Sequence, residues 1–357
     1  MPLVWDKRAD EAQRALDTQF WNPSIRMYNI AAPCPDGKCN TIFHYWWMAH
    51  AAENLIDAYV RTGDNFYKER LAQLYVGLLE RNGGTWINEL YDDMEWMALA
   101  WLRAWDVFGE EKYLEAVRVL WHDIKGGWNG HCGGGIAWRK TQLDYKNTPA
   151  NAPAVILAAR LYRAFGSEED LAWALRIYEW QRTHLVDPAT GFVWDGMNRL
   201  GDGTIDKNWR FTYCQGVYIG AGVELYRSTG DRGYLEDAVR TAMTARAELA
   251  DAGTGLLPDE GGGDAGLFKG ILARYVAGLI ETAGDPGSNA GPVSGTLSAW
   301  LLANAETMWH HGRSESGWFG RDWNTPPRGC AELSAQLSGV MLLEMAARLE
   351  RTERSGQ

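Results

Sequence analysis

The chain has 357 residues, of which 46% are hydrophobic, so it can bury the core of one large globular domain or of two smaller ones. Its 46 acidic residues outnumber its 35 lysines and arginines, and the net charge of −11 disfavours a nucleic-acid partner. No apolar run approaches the roughly 20 residues that span a bilayer, so we expect no membrane partner either.

The N-terminal segment and the cysteines bear on the compartment. Residues 1–10 carry charges where a signal peptide has its apolar core, which predicts a cytoplasmic protein or a secreted one whose leader has been removed. Five cysteines favour a reducing compartment over a disulfide scaffold, although Cys34 and Cys39 flank a turn and would form a small loop disulfide in an oxidising setting. The cysteine spacing is a poor zinc site, so we expect no metal.

A weak internal repeat divides the chain into helical hairpins. In each copy an aromatic residue stands four positions before a glycine, and an acid or a serine follows: the glycines are Gly63, Gly109, Gly166 and Gly230. This pattern predicts a helix that ends on a left-handed glycine, a tight turn and a second helix. At about 50 to 60 residues per hairpin, the chain holds about six hairpins. The predicted fold is an all-α (α/α)6 toroid in a single domain, residues 1–357.

Two kinds of helix alternate in this pattern. Residues 94–107 are apolar around most of the helix surface, which predicts an inner helix, whereas residues 168–182 alternate apolar and charged residues like an outer helix. Long glycine-rich loops at 126–135, 187–208, 252–264 and 312–329 are expected to carry function. Tryptophans in and beside them are predicted to line a groove for sugar rings: Trp128, Trp138, Trp194, Trp209, Trp318 and Trp323.

Two adjacent aspartates, Asp92 and Asp93, open the apolar inner helix. A helix cap and a first-turn acid account easily for one of them. A pair beside Tyr91 and Trp96 also suits glycosidic hydrolysis, because like charges raise one pKa and leave one carboxyl protonated and the other ionised. A retaining hydrolase holds two such carboxyls about 5 to 5.5 Å apart.

Four ordered blocks resemble glycoside hydrolase family 76, the endo-α-1,6-mannanases, over about residues 43–323. They are Tyr91-Asp92-Asp93 with Trp96; Gly134-Gly135-Ile136-Ala137-Trp138 with Lys146-Asn147-Thr148; Thr212-Tyr213-Cys214-Gln215-Gly216; and Gly263-Asp264-Ala265-Gly266-Leu267-Phe268-Lys269-Gly270-Ile271. The resemblance implies an (α/α)6 barrel and hydrolysis of α-1,6-mannosidic bonds with retention, without metal or cofactor. It implies that Asp92 is the nucleophile and Asp93 the general acid/base.

Nine residues are predicted to bind substrate. Asp195 is equally well explained as a turn residue before glycine, Asp264 as a helix cap, and Phe268 and Lys269 as structural residues. Two positions depart from the family pattern, since Ala137 and Cys214 stand where a tryptophan and an asparagine are expected, and they bear on the subsites rather than the chemistry. The nine residues are Tyr91, Trp96, Trp138, Asp195, Tyr213, Gln215, Asp264, Phe268 and Lys269.

The sequence therefore predicts a monomeric, retaining, endo-acting α-1,6-mannanase whose partner is α-mannan or a manno-oligosaccharide. One alternative is another sugar-active (α/α)6 enzyme, an unsaturated-glucuronyl hydrolase or an N-acylglucosamine epimerase. The epimerase would need histidines as its acid and base, which leaves the aspartate pair without a role. The other alternative is a carbohydrate-binding protein without catalytic activity, and the presence of both carboxylates argues against it.

Overall fold

The structure is a computed structural model that describes residues 3–285, 287–288 and 290–355. Within these ranges twelve α-helices are joined by loops, 3-10 turns and short strands. No helix there is long and apolar enough to cross a membrane. The helices are α1 Val4–Phe20, α2 Tyr45–Thr62, α3 Asn65–Arg81, α4 Tyr91–Phe108, α5 Glu111–Lys125, α6 Ala152–Phe165, α7 Glu168–His184, α8 Thr212–Thr229, α9 Arg232–Glu248, α10 Phe268–Gly284, α11 Gly291–Thr307 and α12 Leu333–Ser355.

The predicted hairpins and their glycine turns are confirmed. The helices α2, α4, α6 and α8 each end on a left-handed glycine, with φ of 70° at Gly63, 68° at Gly109, 72° at Gly166 and 74° at Gly230. After each glycine the next helix begins within two residues and packs against the one before it. Only glycine adopts this backbone conformation without strain. The fold belongs to the predicted (α/α)6 class.

Contacts between Cα atoms group the described chain into two compact units. The first unit comprises residues 3–85, 250–277 and 295–355, in which α1 packs against α12 and α2 against α3. The second unit comprises residues 86–249 and the described part of 278–294. There α6 packs between α4 and α8, and α5, α7 and α9 lie outside them. A single domain over residues 1–357 stays a prediction.

Burial in the second unit separates the inner helices from the outer ones. The inner α4 buries Met94 and Trp101 completely, and α8 is buried from Thr212 to Leu225. The outer α7 has only five buried residues, between Ala174 and Gln181. It is capped by Ser167, whose side chain accepts the N–H of Asp170. The inner and outer roles predicted for residues 94–107 and 168–182 are therefore confirmed.

The strands were not predicted, because elements of two to six residues inside glycine-rich loops are too short to show an alternating pattern. They form two-stranded pairs β1–β2 and β3–β7 and one antiparallel sheet of order β4–β5–β6. This sheet lies in the second unit. Trp138 is part of β4, and Asp195 directly precedes β6. The strands are β1 Trp21–Asn22, β2 Met27–Tyr28, β3 Ala31–Ala32, β4 Ala137–Arg139, β5 Gln142–Asn147, β6 Gly196–Met197 and β7 Ala331–Glu332.

Two of the five cysteines are paired. A disulfide joins Cys34 to Cys39, whose Cα atoms lie 5.9 Å apart, and it closes the turn between them. Cys132, Cys214 and Cys330 carry free thiols. Of the two outcomes that the sequence leaves open for Cys34 and Cys39, the structure contains the disulfide.

Candidate active site

Asp92 and Asp93 lie in the first turn of α4, where backbone N–H groups lack partners within the helix. The Asp92 carboxylate accepts the backbone N–H of Asp93 at 2.9 Å, so it satisfies one of these donors. Asp93 is only 7% exposed and accepts the side-chain amide of Asn88 at 3.3 Å. The helix start thus holds two neighbouring carboxyls in different environments.

Trp138 on β4 reaches the first of these carboxyls. Its indole Nε1–H donates to Asp92 Oδ2 at 3.0 Å, and the predicted contact of Trp138 with substrate stays a prediction. Asp92 therefore accepts two N–H donors, one from the backbone and one from an indole. Hydrogen bonds to a carboxylate stabilise its ionised form and fix its orientation.

The strand that carries Trp138 is anchored by buried polar side chains. Lys146 is fully buried and donates to the carbonyl of Gly135 at 2.7 Å; burial lowers its pKa to about 8. The side chain of Asn151 accepts the N–H of Ile136 at 2.8 Å and donates to its carbonyl at 3.0 Å. Lys146 and Asn151 thus hold the segment that leads into β4, and Lys146 does not present its charge to solvent.

Asp195 lies at a buried hydrogen-bond centre next to β6. It is 3% exposed, and its carboxylate accepts Tyr145 Oη at 3.0 Å, Tyr213 Oη at 2.9 Å and the Cys214 thiol at 3.5 Å. Burial raises the pKa of Asp195, and these three donors oppose that shift. The Tyr145 ring lies edge-on to Trp138, with ring centroids 5.8 Å apart. The cluster therefore supports the indole that contacts Asp92.

Three other predicted site residues of this unit are buried. Tyr91 is 6% exposed and packs against Gly127, where an added Cβ would lie 3.0 Å from the phenol ring. Trp96 is 4% exposed within α4. Gln215 is completely buried, and its amide bonds to the carbonyl and the N–H of Val193 at 2.6 and 2.9 Å. The structure gives Gln215 a backbone partner, and its predicted contact with substrate stays a prediction.

The last three predicted site residues belong to the other unit. The exposed carboxylate of Asp264 accepts the indole N–H groups of Trp46 and Trp47 at 3.0 and 2.7 Å. Phe268 is 7% exposed. Lys269 is 1% exposed, bonds to the carbonyl of Arg321, and has its pKa lowered to about 8 by burial. Among these three, Asp264 is the residue whose side chain reaches solvent.

The structure bears on the expectations for three individual positions. The prediction that Trp323 lines an open groove is wrong, because Trp323 is fully buried with the Lys269 ammonium 4.6 Å from its ring centroid. Ala137, which replaces an expected tryptophan, is also fully buried and offers no stacking surface. Cys214 keeps a hydrogen-bond donor, its thiol to Asp195, where the family pattern has an amide.

Three residues that bear on the site were missed from the sequence. Asn88 bonds to Asp93, and Tyr145 bonds to Asp195. Glu95 is a completely buried carboxyl one turn after Asp92. A charged residue between the apolar Met94 and Trp96 was a visible signal for Glu95, whereas the contacts of Asn88 and Tyr145 depend on loop and strand geometry. In the described ranges no group of three or more His, Cys, Asp or Glu side chains could hold a metal ion.

Comparison with known proteins places this arrangement in a family. The model of glycosyl hydrolase family 76 matches residues 4–354. This chain belongs to glycosyl hydrolase family 76. It is therefore a glycoside hydrolase by family, with the (α/α)6 fold that its helical hairpins show.

The relatives of this family-76 chain include proteins of known structure and named enzymes that match it in sequence. The solved α-1,6-mannanase from Salegentibacter sp. HEL1_6 is 40% identical, with a TM-score of 0.90 over 97% of this chain and 99% of that one. An inactive variant of that mannanase, with two consecutive aspartates changed to alanine, was solved with α-1,6-mannotetrose (TM-score 0.91, 38% identity, 97% of this chain and 100% of that one). A mannan endo-1,6-α-mannosidase of Candida glabrata is 24% identical over 86% of this chain and 73% of its own length.

In the family-76 site, the indole hydrogen bond to Asp92 can be tested directly. Trp138→Phe keeps an aromatic ring and removes the N–H donor, so we expect kcat/KM for glycoside hydrolysis to fall about 10- to 100-fold, since a hydrogen bond to a charged group contributes about 1.5–3 kcal/mol. Trp105→Phe is the matched control, because Trp105 lies in the last turn of α4, at the opposite end of the helix from Asp92. Equal activity of the two variants in steady-state kinetics would show that the indole does not orient Asp92.

The close packing under Asp195 gives a second prediction. A Cβ on Gly196 would lie 2.7 Å from Tyr145 Oη and 2.9 Å from the Lys146 carbonyl, whereas a Cβ on Gly130 would meet nothing within 4 Å. We expect Gly196→Ala to lower the free energy of unfolding by about 1–3 kcal/mol through overpacking and Gly130→Ala to leave it nearly unchanged. Urea unfolding followed by tryptophan fluorescence measures both, and equal stability of the two variants contradicts the packing described for β5 and β6.

Proposed function

We propose that this chain is a retaining, endo-acting hydrolase of α-1,6-mannosidic bonds in mannan or manno-oligosaccharides. The observation that carries the proposal is the carboxyl pair at the start of α4, in which Asp92 accepts two N–H donors and Asp93 is nearly buried. The similarity to an α-1,6-mannanase, and to its inactive variant lacking two consecutive aspartates, supports the substrate and the pair.

The environments of the two carboxyls suit two different roles. Two N–H donors stabilise Asp92 as a carboxylate and aim it, as a nucleophile requires. Asp93 is 7% exposed, and burial favours the neutral form of a carboxyl, as a general acid requires. In the first step Asp92 attacks the anomeric carbon while Asp93 gives its proton to the departing glycosidic oxygen.

In the second step Asp93 acts as a general base instead of a general acid. Asp93, now ionised, takes a proton from water as the water oxygen bonds to the anomeric carbon, and the carbon–oxygen bond to Asp92 breaks. The bonding electrons return to the Asp92 carboxylate. Two inversions give a product with the original α configuration, and Asp93 is again protonated for the next cycle.

The experiment that tests this function is incubation of the protein with α-1,6-mannan and with short α-1,6-manno-oligosaccharides, with product sizes followed over time. We expect mixed internal fragments from the polymer at early times. Mannose as the sole product from the start would contradict endo action. Absence of cleavage of any α-1,6-linked substrate, while an unsaturated glucuronide is hydrolysed, would favour the alternative enzyme class, and binding without cleavage would favour a carbohydrate-binding protein.

A further inference from the structure

Glu95 is a third carboxyl on the helix that carries the aspartate pair. It follows Asp92 by three residues on α4, so the two side chains project from the same face of the helix. Glu95 is completely buried, and within residues 3–285, 287–288 and 290–355 no side chain donates a hydrogen bond to either of its oxygens. Burying a carboxyl without a side-chain partner costs free energy, so its retention one turn from the proposed nucleophile calls for an explanation.

The environments of Asp92 and Glu95 differ in a way that decides which of them holds a proton. Asp92 accepts a backbone N–H at 2.9 Å and the Trp138 indole at 3.0 Å, and it lies in the first helical turn, where the helix dipole favours negative charge. Glu95 lies one turn deeper and has neither donor. Burial of an unpaired carboxylate is far more costly than burial of the neutral acid, so the charge stays on Asp92 and the proton on Glu95.

The groups around Glu95 favour its protonated form. Burial and then the negative charge of Asp92 raise the pKa of Glu95 well above its usual range, and the backbone of Ala154 at the start of α6 lowers it only partly. The first four residues of α6 are Ala152, Pro153, Ala154 and Val155, none of which can titrate. At the start of α8 the titratable Tyr213 and Cys214 donate to Asp195 instead.

We propose that Glu95 is a positioning residue for the second half of the reaction: held as a neutral acid, it leaves Asp92 the single negative charge on this face of α4 and so keeps Asp92 able to depart from the mannosyl-enzyme. The inference rests on the proposed function. In that step water bonds to the anomeric carbon, Asp93 accepts the water proton, and the electrons of the broken ester bond return to Asp92. An ionised Glu95 would oppose this return of charge, because like charges one helical turn apart repel.

The two chemical steps therefore respond differently to ionisation of Glu95. In the mannosyl-enzyme Asp92 is esterified and uncharged, so its negative charge no longer raises the pKa of Glu95. At alkaline pH Glu95 ionises more readily in this intermediate, and departure of Asp92 slows. Asp93 acts as a base in the same step and is favoured by high pH, so it cannot produce the alkaline decline. The intermediate should accumulate as the pH rises.

The test compares wild type with Glu95→Gln, which keeps the shape of the side chain and cannot ionise. Both proteins are mixed with a 2,4-dinitrophenyl α-1,6-mannobioside, whose dinitrophenolate leaves without being protonated by Asp93. The reactions are quenched in acid during steady state. Intact-protein mass spectrometry then gives the fraction of mannobiosyl-enzyme between about pH 5 and pH 9. For wild type we expect this fraction to rise and kcat to fall by about tenfold per pH unit above the titration of Glu95. For Glu95→Gln we expect both pH dependences to disappear.

The matched control is Glu89→Gln, which removes an exposed carboxylate three residues before Asp92 and should keep the wild-type pH profile. A wild-type fraction that does not rise with pH, or the same rise in Glu95→Gln, overturns the inference. If wild type releases no dinitrophenol and forms no adduct at any pH, the proposed function has failed instead. If an adduct forms but its fraction does not change with pH, the proposed function stands and only the role of Glu95 has failed.

Folding stability gives a second readout that does not depend on turnover. Because burial raises the pKa of Glu95, the folded protein holds a proton that the unfolded chain loses above about pH 4.3. The stability of wild type relative to Glu95→Gln should be greatest below that pH and should decrease as the pH rises towards the folded-state pKa. A stability difference that is independent of pH between about pH 4 and pH 9 would show that Glu95 is not held neutral.

Discussion

Replacing Asp92 with glycine should lower kcat/KM on α-1,6-mannan by about ten-thousand-fold or more, because loss of a nucleophile removes the covalent route altogether. The variant also leaves space at the reacting carbon. With an activated α-mannoside and added azide, the small anion should attack the anomeric carbon directly from the vacated side. One inversion then gives a β-mannosyl azide, which nuclear magnetic resonance identifies.

The control for this variant lies on the same helix. Asp106 is an exposed aspartate in the last turn of α4, and Asp106→Gly should keep wild-type activity although a glycine near the helix end lowers stability slightly. Circular dichroism shows whether each variant folds. Wild-type activity of a folded Asp92→Gly, or formation of the α-mannosyl azide by it, would refute the role of Asp92 as nucleophile.

Replacing Asp93 with alanine should have the second largest effect, about 100- to 10,000-fold on α-1,6-mannan, which is the usual contribution of a general acid/base. The loss should depend on the leaving group. A mannan oxygen needs a proton in order to leave, whereas a dinitrophenolate does not, so the first step with the dinitrophenyl substrate should be nearly as fast as in wild type. The second step lacks its base, and the mannosyl-enzyme should accumulate.

Azide separates the two aspartates. In Asp93→Ala it should attack the mannosyl-enzyme on Asp92, and two inversions give an α-mannosyl azide. Asp92→Gly should give the opposite anomer. Asn88→Ala, which removes the amide that bonds to Asp93, is a milder comparison and should show the same pattern of leaving-group dependence at a smaller amplitude. The same anomer from both aspartate variants would contradict the division of roles between them.

The sequence was sufficient to predict the helical hairpins and the position of the aspartate pair. The helix ends could be recognised from four glycines, because the turn at each end requires a left-handed backbone that other residues rarely adopt. They are Gly63, Gly109, Gly166 and Gly230. The buried character of α4 followed from its apolar surface. These features depend on local conformation and on periodicity, which are properties of a short stretch of chain.

The surroundings of the pair could not be predicted in the same way. The hydrogen bond from Trp138 to Asp92 depends on the place of β4, which pairs with β5 and follows a segment whose backbone carbonyls accept hydrogen bonds from Lys146 and Asn151. Trp323 illustrates the converse error, since a tryptophan in a loop was expected in the groove and lies beneath Lys269 instead. Residue type indicated aromatic surface, whereas burial depends on which elements cover it.

Glu95 lies between these cases. Its place one turn after Asp92 was visible in the sequence, but its significance comes from complete burial and from the lack of a side-chain hydrogen-bond donor in the described chain. Neither property follows from helical periodicity. The comparison of Asp92 with Glu95 requires the donors of Trp138 and of the helix start, which only the folded chain brings together.

The measurement that tests the central account most directly is the anomeric configuration of the product first released from an α-1,6-manno-oligosaccharide. Proton nuclear magnetic resonance during the first minutes of the reaction resolves the two anomers before they interconvert. Double displacement by Asp92 and Asp93 predicts the α-anomer as the initial product. Initial appearance of the β-anomer would mean a single displacement by water, and it would contradict the covalent role of Asp92.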